Sequence, residues 1–352
     1  MPDAISERRF LAWAYQFLVP LRLIGRVMHN AILHKAGITT PLFHFSNIKD
    51  YLAANSTGYY LFPCTSEEEL IANMEDMDII FTTSPPFTRR VLSNLKNCKG
   101  IIRIGIGVDN FDLDAATENG ICIANVPDFY VEDVATLTIT FILALAKKIF
   151  QINNAVKLGK WKLQDVMPLY RLSRMVVGLL GFGRITKAVI EKLRPFGPHI
   201  LVHDPYVSDD DIRSEGCESV SLKRLFSESD FLSIHCPLTR ETKNLIDKSA
   251  LRRMKKTVCI INTARAGIVD ENALLRALRE QRIAGAASDV FLHEPPAQDD
   301  PLVCHPGVIA TPHIGWYSEE SRIEAASKAA EEAVRILSGK VPINLVNPDV
   351  IK

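Results

Sequence analysis

The stretch Met175-Val176-Val177-Gly178-Leu179-Leu180-Gly181-Phe182-Gly183-Arg184-Ile185-Thr186 decides how this chain is read. An apolar run enters a turn of glycines, and helix-forming residues continue to Leu193. Strand, glycine turn and helix start together make a phosphate cradle. The first glycine permits the tight turn, the second lets backbone N–H groups approach a pyrophosphate, and the positive end of the helix favours its charge. Ile200 to His203 reads as the next strand, ended by Asp204. An acid about 20 residues past the loop is placed to bind two ribose hydroxyls and to repel a 2′-phosphate, which favours NAD over NADP. Thr186 stands where a third glycine is expected. That position serves helix–strand packing, so the change is expected to alter packing more than binding. Without its neighbours the glycine turn also fits an ordinary βα unit; the strand, helix and acid favour the dinucleotide.

A βα alternation surrounds this unit. Val176–Leu180, Ile200–His203, Phe231–His235, Val258–Asn262, Ala284–Val290 and Val308–Ala310 read as strands. An earlier set has strands at Pro41–Phe45, Tyr59–Phe62, Ile79–Thr82 and Ile101–Ile104, with helices at Glu67–Met74 and Arg89–Leu95. Such alternation implies parallel sheets with helices on their faces. Long helical patterns at Val131–Leu158, with Val134, Leu137, Phe141, Leu145 and Ile149 on one face, and at Ser318–Leu337, with Ser321 and Glu324 as a capping box, read as crossings between domains. The expected fold class is α/β, with two Rossmann-like doubly wound parallel-sheet domains. Residues 37–130 and 318–352 form a substrate domain, 131–317 are inserted as the NAD-binding domain, and 1–36 are a helical extension of unknown role.

The 352 residues are 47% hydrophobic and 23% charged, with zero formal net charge, which gives no support to nucleic acid as a partner. Seven scattered cysteines without C-x-x-C argue for reduced thiols in a cytoplasmic compartment and against both disulfides and a metal site. An apolar run from Phe10 to Leu21, flanked by Arg8, Arg9, Arg22 and Arg26, is shorter than the roughly 18 residues that span a bilayer. It reads either as an amphipathic helix packed on the body or as a targeting or membrane-surface segment. Membrane contact is expected only through residues 8–28.

Three segments end expected strands with polar residues: Asn262-Thr263-Ala264-Arg265, Asp289 through Glu294-Pro295, and Thr311-Pro312-His313. Ligands of open α/β sheets bind outside the carboxyl ends of the strands, so Arg265, Glu294 and His313 are candidates for one cleft. Reduction of a 2-keto acid needs a bidentate cation for the carboxylate, which Arg provides, and an acid active near neutrality, which His provides. A carboxylate on the other ring nitrogen orients the histidine and stabilises its charged form. Singly, each of the three also fits a surface or loop role, and spacing alone does not gather them.

From about Pro41 to Pro348 the chain resembles the D-isomer-specific 2-hydroxyacid dehydrogenases. The motifs carrying the resemblance are Arg103-Ile104-Gly105-Ile106-Gly107-Val108-Asp109-Asn110, Asn125-Val126-Pro127, Gly178 to Arg184, His235-Cys236-Pro237-Leu238-Thr239, Asn262 to Arg265, Asp289 to Pro295, and Pro312-His313. The resemblance implies Arg265 as substrate anchor, His313 as acid/base and Glu294 as its partner. Arg103, Ile104, Gly105, Ile106 and Gly107 are implied to clamp the substrate carboxylate, with Trp316 near the substrate. Gly181, Gly183, Arg184 and Ile185 are implied at the pyrophosphate and Asp204 at the adenine ribose. His235, Cys236, Pro237 and Thr242 fall on the adenosine side, and Thr263, Ala264, Asp289 and Gly315 near the nicotinamide. Ala266 replaces the usual glycine after Arg265. The extension has no counterpart in the family pattern, and the regulatory domain of the longer phosphoglycerate dehydrogenases is not expected here. Trp316-Tyr317-Ser318-Glu319, with Arg103 before the glycines, is similar to the branch containing C-terminal binding protein corepressors and also to phosphoglycerate-dehydrogenase-like bacterial members.

The expected function is hydride transfer between NAD and C2 of a small D-2-hydroxy acid or 2-keto acid. The alternative is an NAD-responsive corepressor-type scaffold with little turnover. The resemblance implies a homodimer, for which the helix from Val131 and the arm Trp161 to Arg174 are the expected contacts. Residues around Tyr51, Pro85, Pro86 and Trp316 point to a compact substrate.

Overall fold

The computed structural model describes residues 32–41, 46–162, 164 and 167–352. The helical and membrane-surface expectations for residues 1–31 lie outside the described residues, as does the strand expected at Pro41–Phe45 beyond Pro41 itself. Contacts divide the chain into one unit of residues 1–125 and 326–352 and a second of residues 126–325, inserted between them in sequence.

The first unit carries a five-stranded parallel sheet of β1 (His34–Ile38), β2 (Thr57–Leu61), β3 (Ile79–Thr82), β4 (Gly100–Arg103) and β5 (Cys122–Asn125), in the order β2-β1-β3-β4-β5. β1 therefore starts inside the segment expected to be a helical extension. Its residues hid it: charged Lys35 and small Ala36 and Gly37 do not resemble a buried strand. Gly37 is small because Met74 and Met77 pack against it, and a Cβ there would lie 2.6 Å from the Met74 sulfur. The helix Glu67–Met74 begins as expected from its sequence, with Ser66 and Glu69 in a reciprocal capping box.

The second unit carries seven parallel strands: β6 (Val176–Leu180), β7 (His199–His203), β8 (Glu218–Ser219), β9 (Phe231–Ile234), β10 (Cys259–Asn262), β11 (Gly285–Ser288) and β12 (Val308–Ala310). Their order, β12-β11-β10-β9-β6-β7-β8, reverses at β6/β9, the place where doubly wound sheets bind nucleotides. The strands are apolar almost throughout because alternate side chains enter two cores. Val177, Leu179, Val202, Phe231 and Ile261 join one core with the helices Val131–Ala146 and Arg184–Leu193. Leu180, Leu201, Leu232 and Ile260 join the other, with Leu225, Leu251 and Leu274 from three further helices.

The helix expected over Val131–Leu158 is two helices, Val131–Ala146 and Ile149–Lys157, bent by 57°. Lys148 at φ 49° breaks it, since a left-handed residue cannot continue a right-handed helix. Val134, Phe141 and Leu145 are buried in the core, whereas no residue of the second helix is buried. Among the described residues no single helix is long and apolar enough to cross a membrane. The last long helix is Glu319–Leu337, capped one turn earlier than Ser321–Glu324 implied. Ser318 Oγ accepts from Ser321 N, and Ser321 Oγ accepts from Ser318 N, so a second serine takes the part usually played by glutamate.

Candidate active site

The glycine turn sits at the end of β6. Gly181 has φ 98°, and a Cβ there would approach Cys236 backbone N to 2.9 Å, so both conformation and space demand glycine. Gly183 begins the helix Arg184–Leu193, with no side chain capping that end, and a Cβ on Gly183 would meet nothing within 4 Å. The N–H groups of this ten-residue helix start therefore open onto space over Gly183, as a bound pyrophosphate requires. Arg184 is exposed there, while Ile185 packs on the core and has only its backbone to offer. Thr186 is fully buried, and its hydroxyl donates to Gly181 O at 2.9 Å. The residue replacing the third glycine thus staples the turn.

Asp204 follows β7. Its Oδ2 accepts from Phe182 N at 2.8 Å, linking it to the glycine turn, and Oδ1 accepts from Tyr206 N at 2.9 Å. A carboxylate has about four acceptor positions, so each oxygen retains capacity for a ribose hydroxyl. On the far side of β6, His235 and Cys236 follow β9 against Gly181. Burial holds the His235 imidazole down to about 4, and Nε2 lies 2.9 Å from Ser233 Oγ, so the ring is neutral near pH 7 and brings no charge to the cradle. Burial, aided by Asp204, pushes the Cys236 thiol up to about 11. Thr242 closes the following turn by donating to Pro237 O at 2.6 Å and accepting from Thr239 N at 2.7 Å.

The reactive candidates come from three adjacent strands in register, Asn262 beside Ser288 and Ser288 beside Ala310. Neighbouring strands lie about 4.8 Å apart. Arg265 and His313 each lie three residues beyond this row, and Glu294 lies six beyond it. His313 Nδ1 is 2.7 Å from Glu294 Oε2, and Glu294 Oε1 accepts from Phe291 N at 3.0 Å. His313 has φ 54°, a conformation rarely adopted by residues other than glycine. Buried Asp289 holds it there: Oδ1 accepts from the Thr311 hydroxyl and from Ile314 N at 2.9 Å, and Oδ2 from Gly315 N at 2.7 Å. Asp289 therefore shapes the histidine turn as well as lying in the region assigned to the nicotinamide. Gly315 belongs to the same fit, since a Cβ there would lie 2.9 Å from Asp289 Oδ2.

Arg265 donates from Nη1 to Ala264 O at 2.8 Å. Buried Asn262 sets its turn, donating to Arg265 O at 3.0 Å and accepting from Ala264 N at 3.0 Å. Thr263 Oγ1 lies 3.1 Å from Thr138 Oγ1, which ties this turn to the helix Val131–Ala146. Trp316 packs edge-on against Phe129 and Tyr317, with ring centroids 6.3 and 5.5 Å away. The structure thus joins His313 to Glu294 directly and sets Arg265 on a neighbouring strand end. Asn262, Ser233 and Thr311 are supporting residues that their positions in the sequence do not reveal.

In the first unit, Arg103 ends β4 and curls over its own turn, donating to Gly107 O at 2.9 Å and Ile104 O at 2.7 Å. Asn125 donates to Ile106 O at 3.0 Å. Three carbonyls are drawn back onto these side chains, and Gly105 at φ 144° permits the reversal.

Residues 139–315 match the family described as D-isomer specific 2-hydroxyacid dehydrogenase, NAD binding domain. A glyoxylate reductase of Korarchaeum cryptofilum is 36% identical over 291 residues, 82% of this chain and 88% of that protein. A D-3-phosphoglycerate dehydrogenase of Methanocaldococcus jannaschii is 38% identical over 284 residues, 80% of this chain. The chain spans only 54% of that relative's length. The crystal structure of an Aquifex aeolicus D-lactate dehydrogenase complexed with NAD and lactic acid superposes with TM-score 0.80, at 28% identity, over 89% of this chain and 99% of that one. This chain belongs to the D-isomer specific 2-hydroxyacid dehydrogenases. Its second unit is the NAD-binding domain of that family, and the space over Gly183, the uncapped helix start and Asp204 fit the dinucleotide.

Proposed function

We propose that this protein is an NAD-dependent dehydrogenase interconverting a small D-2-hydroxy acid and its 2-keto acid. The observation that carries the reading is the 2.7 Å pair of His313 Nδ1 and Glu294 Oε2, with His313 on a turn pinned by Asp289 and Glu294 following β11, the neighbour of the strand that bears Arg265. Gly181, Gly183, Arg184, Ile185 and Asp204 would hold NAD, which accepts or donates the hydride at C2. With Nδ1–H donated to Glu294, His313 exchanges a proton through Nε2: it protonates the carbonyl oxygen in reduction and removes the hydroxyl proton in oxidation. Glu294 fixes the ring and stabilises its charged form. The Arg265 fork pairs with the carboxylate. In the first unit, the turn at Ile104–Gly107, its carbonyls held from behind, leaves N–H groups to an anion. The aromatic cluster at Trp316 favours a compact acid, and the relatives named above make glyoxylate, pyruvate and the 2-keto acid of 3-phosphoglycerate the first substrates to assay.

A panel of these acids with NADH and NADPH, run on the parent and on Asp204→Ala, tests the reading. At least one acid should oxidise NADH in the parent, and Asp204→Ala should raise NADPH use relative to NADH. No turnover on any acid would overturn the activity, and an unchanged cofactor ratio would overturn the ribose contact.

We further propose that the protein is a homodimer. Ile149, Phe150, Leu158, Trp161 and Tyr170 expose an apolar run, at 51%, 50%, 75%, 85% and 53% of their surfaces, that a second copy would cover. The helix Val131–Ala146, also expected at the contact, buries Val134, Phe141 and Leu145 within its own chain. Light scattering should give about twice the chain mass, and a monomer would refute the assignment. Seven unpaired cysteines suit a reducing, cytoplasmic compartment.

A further inference from the structure

Glu271 opens the helix Glu271–Arg279, just after Asp270, whose side chain caps the helix by accepting from Ala273 N at 3.0 Å. Its own carboxylate is not spent on that cap. Oε1 reaches across 21 positions of sequence to accept from Leu292 N at 2.9 Å. The neighbouring amide, Phe291 N, is held at 3.0 Å by Glu294 Oε1, and Glu294 Oε2 meets His313. Two consecutive amides are therefore gripped by two carboxylates, one from the loop itself and one from a helix outside it.

The setting shows that Glu271 is held at a cost. It lines a small cavity beneath the ends of β10 and β11, together with Asn262, Ser288 and apolar Ile260, Leu274 and Val290. Burial pushes its carboxyl above the ordinary range. The Leu292 amide opposes that shift, Asp300 and Glu294 add to it and His293 opposes it. A half-buried carboxylate facing apolar walls is expensive unless its hydrogen bonds matter. Leu292, by contrast, is 54% exposed, so its side chain does little to anchor the loop.

We propose that Glu271 is a positioning residue for the acid/base pair: by tethering Leu292 N–H to the helix start, it fixes the loop from which Glu294 engages His313. The inference rests on the function proposed above for that pair. It also makes a structural claim that holds or fails without turnover.

Three single variants and one double variant test it: Glu271→Ala, which removes the acceptor; Glu271→Gln, which keeps an oxygen for Leu292 N–H; Glu294→Gln; and Glu271→Ala with Glu294→Gln. Amide exchange is read at Leu292 and Phe291, alongside kcat, KM and NADH binding by fluorescence. The proposal expects Glu271→Ala to lose protection at both amides and to lower kcat on the order of 10-fold, the usual size for an outer partner of a reactive histidine, with NADH binding unchanged. Glu271→Gln should restore most of both. On the Glu294→Gln background the alanine should cost little more, because the two act in series. Protection lost only at Leu292, kcat losses that multiply in the double variant, or unchanged exchange in Glu271→Ala would each overturn it. If the parent reduces no 2-keto acid, the proposed activity falls, and the Phe291 amide alone then decides whether the tether holds Glu294.

Discussion

His313→Ala should reduce keto-acid turnover by about 10²–10⁴, the range for loss of a general acid, while NADH still binds. The ring is 2.7 Å from Glu294, and its backbone is held left-handed by three hydrogen bonds around Asp289. Alanine removes the proton carrier without touching the glycine turn at Gly181 or the helix start at Gly183. The loss should therefore appear in kcat, with the NADH dissociation constant preserved. Glu294→Gln should be milder, since the side chain still fills its place beside the ring, but its one oxygen cannot accept from both Phe291 N–H and Nδ1–H, and no carboxylate stabilises the charged ring. Undiminished turnover in His313→Ala would remove the histidine from proton transfer. Equal loss of NADH binding would point to a collapsed loop, and a matching thermal melt would check that.

Arg265→Ala should lower kcat/KM for 2-keto acids by roughly 10²–10³, because charge-assisted hydrogen bonds are worth about 1.5–3 kcal/mol each and the guanidinium offers a fork of them. Neutral ketones should lose far less, so discrimination between keto acids and ketones should nearly vanish. Arg265→Lys should fall between, keeping the charge without the planar fork. Equal losses on both substrate types would contradict the carboxylate contact. The side chain bonds its own turn at Ala264 O, and Asn262 holds the backbone behind it, so the alanine variant leaves the turn's main tie in place.

The βα alternation of both units was legible because parallel strands bury both faces and so read as apolar runs. The strand Ile79–Thr82 and the strand Val176–Leu180 have the bounds expected of them. What failed was local. β1 was hidden because its Gly37 is kept small by Met74 and Met77, which lie far along the chain. The break at Lys148 left no sign in a helical pattern that runs on through Ile149, since a single left-handed residue changes direction without changing composition.

The glycine turn, the acid after β7 and the residue types of the reactive trio were all present in the linear order, because each depends on short spacing or on side-chain chemistry alone. Only the folded sheet decided that His313 and Glu294, 19 positions apart, meet at hydrogen-bond distance, and that Asp289 shapes the turn that carries His313. The reason is physical: parallel strands joined by long crossovers put distant segments side by side. Register between β10, β11 and β12 is a property of the whole sheet, which no stretch of the chain carries by itself.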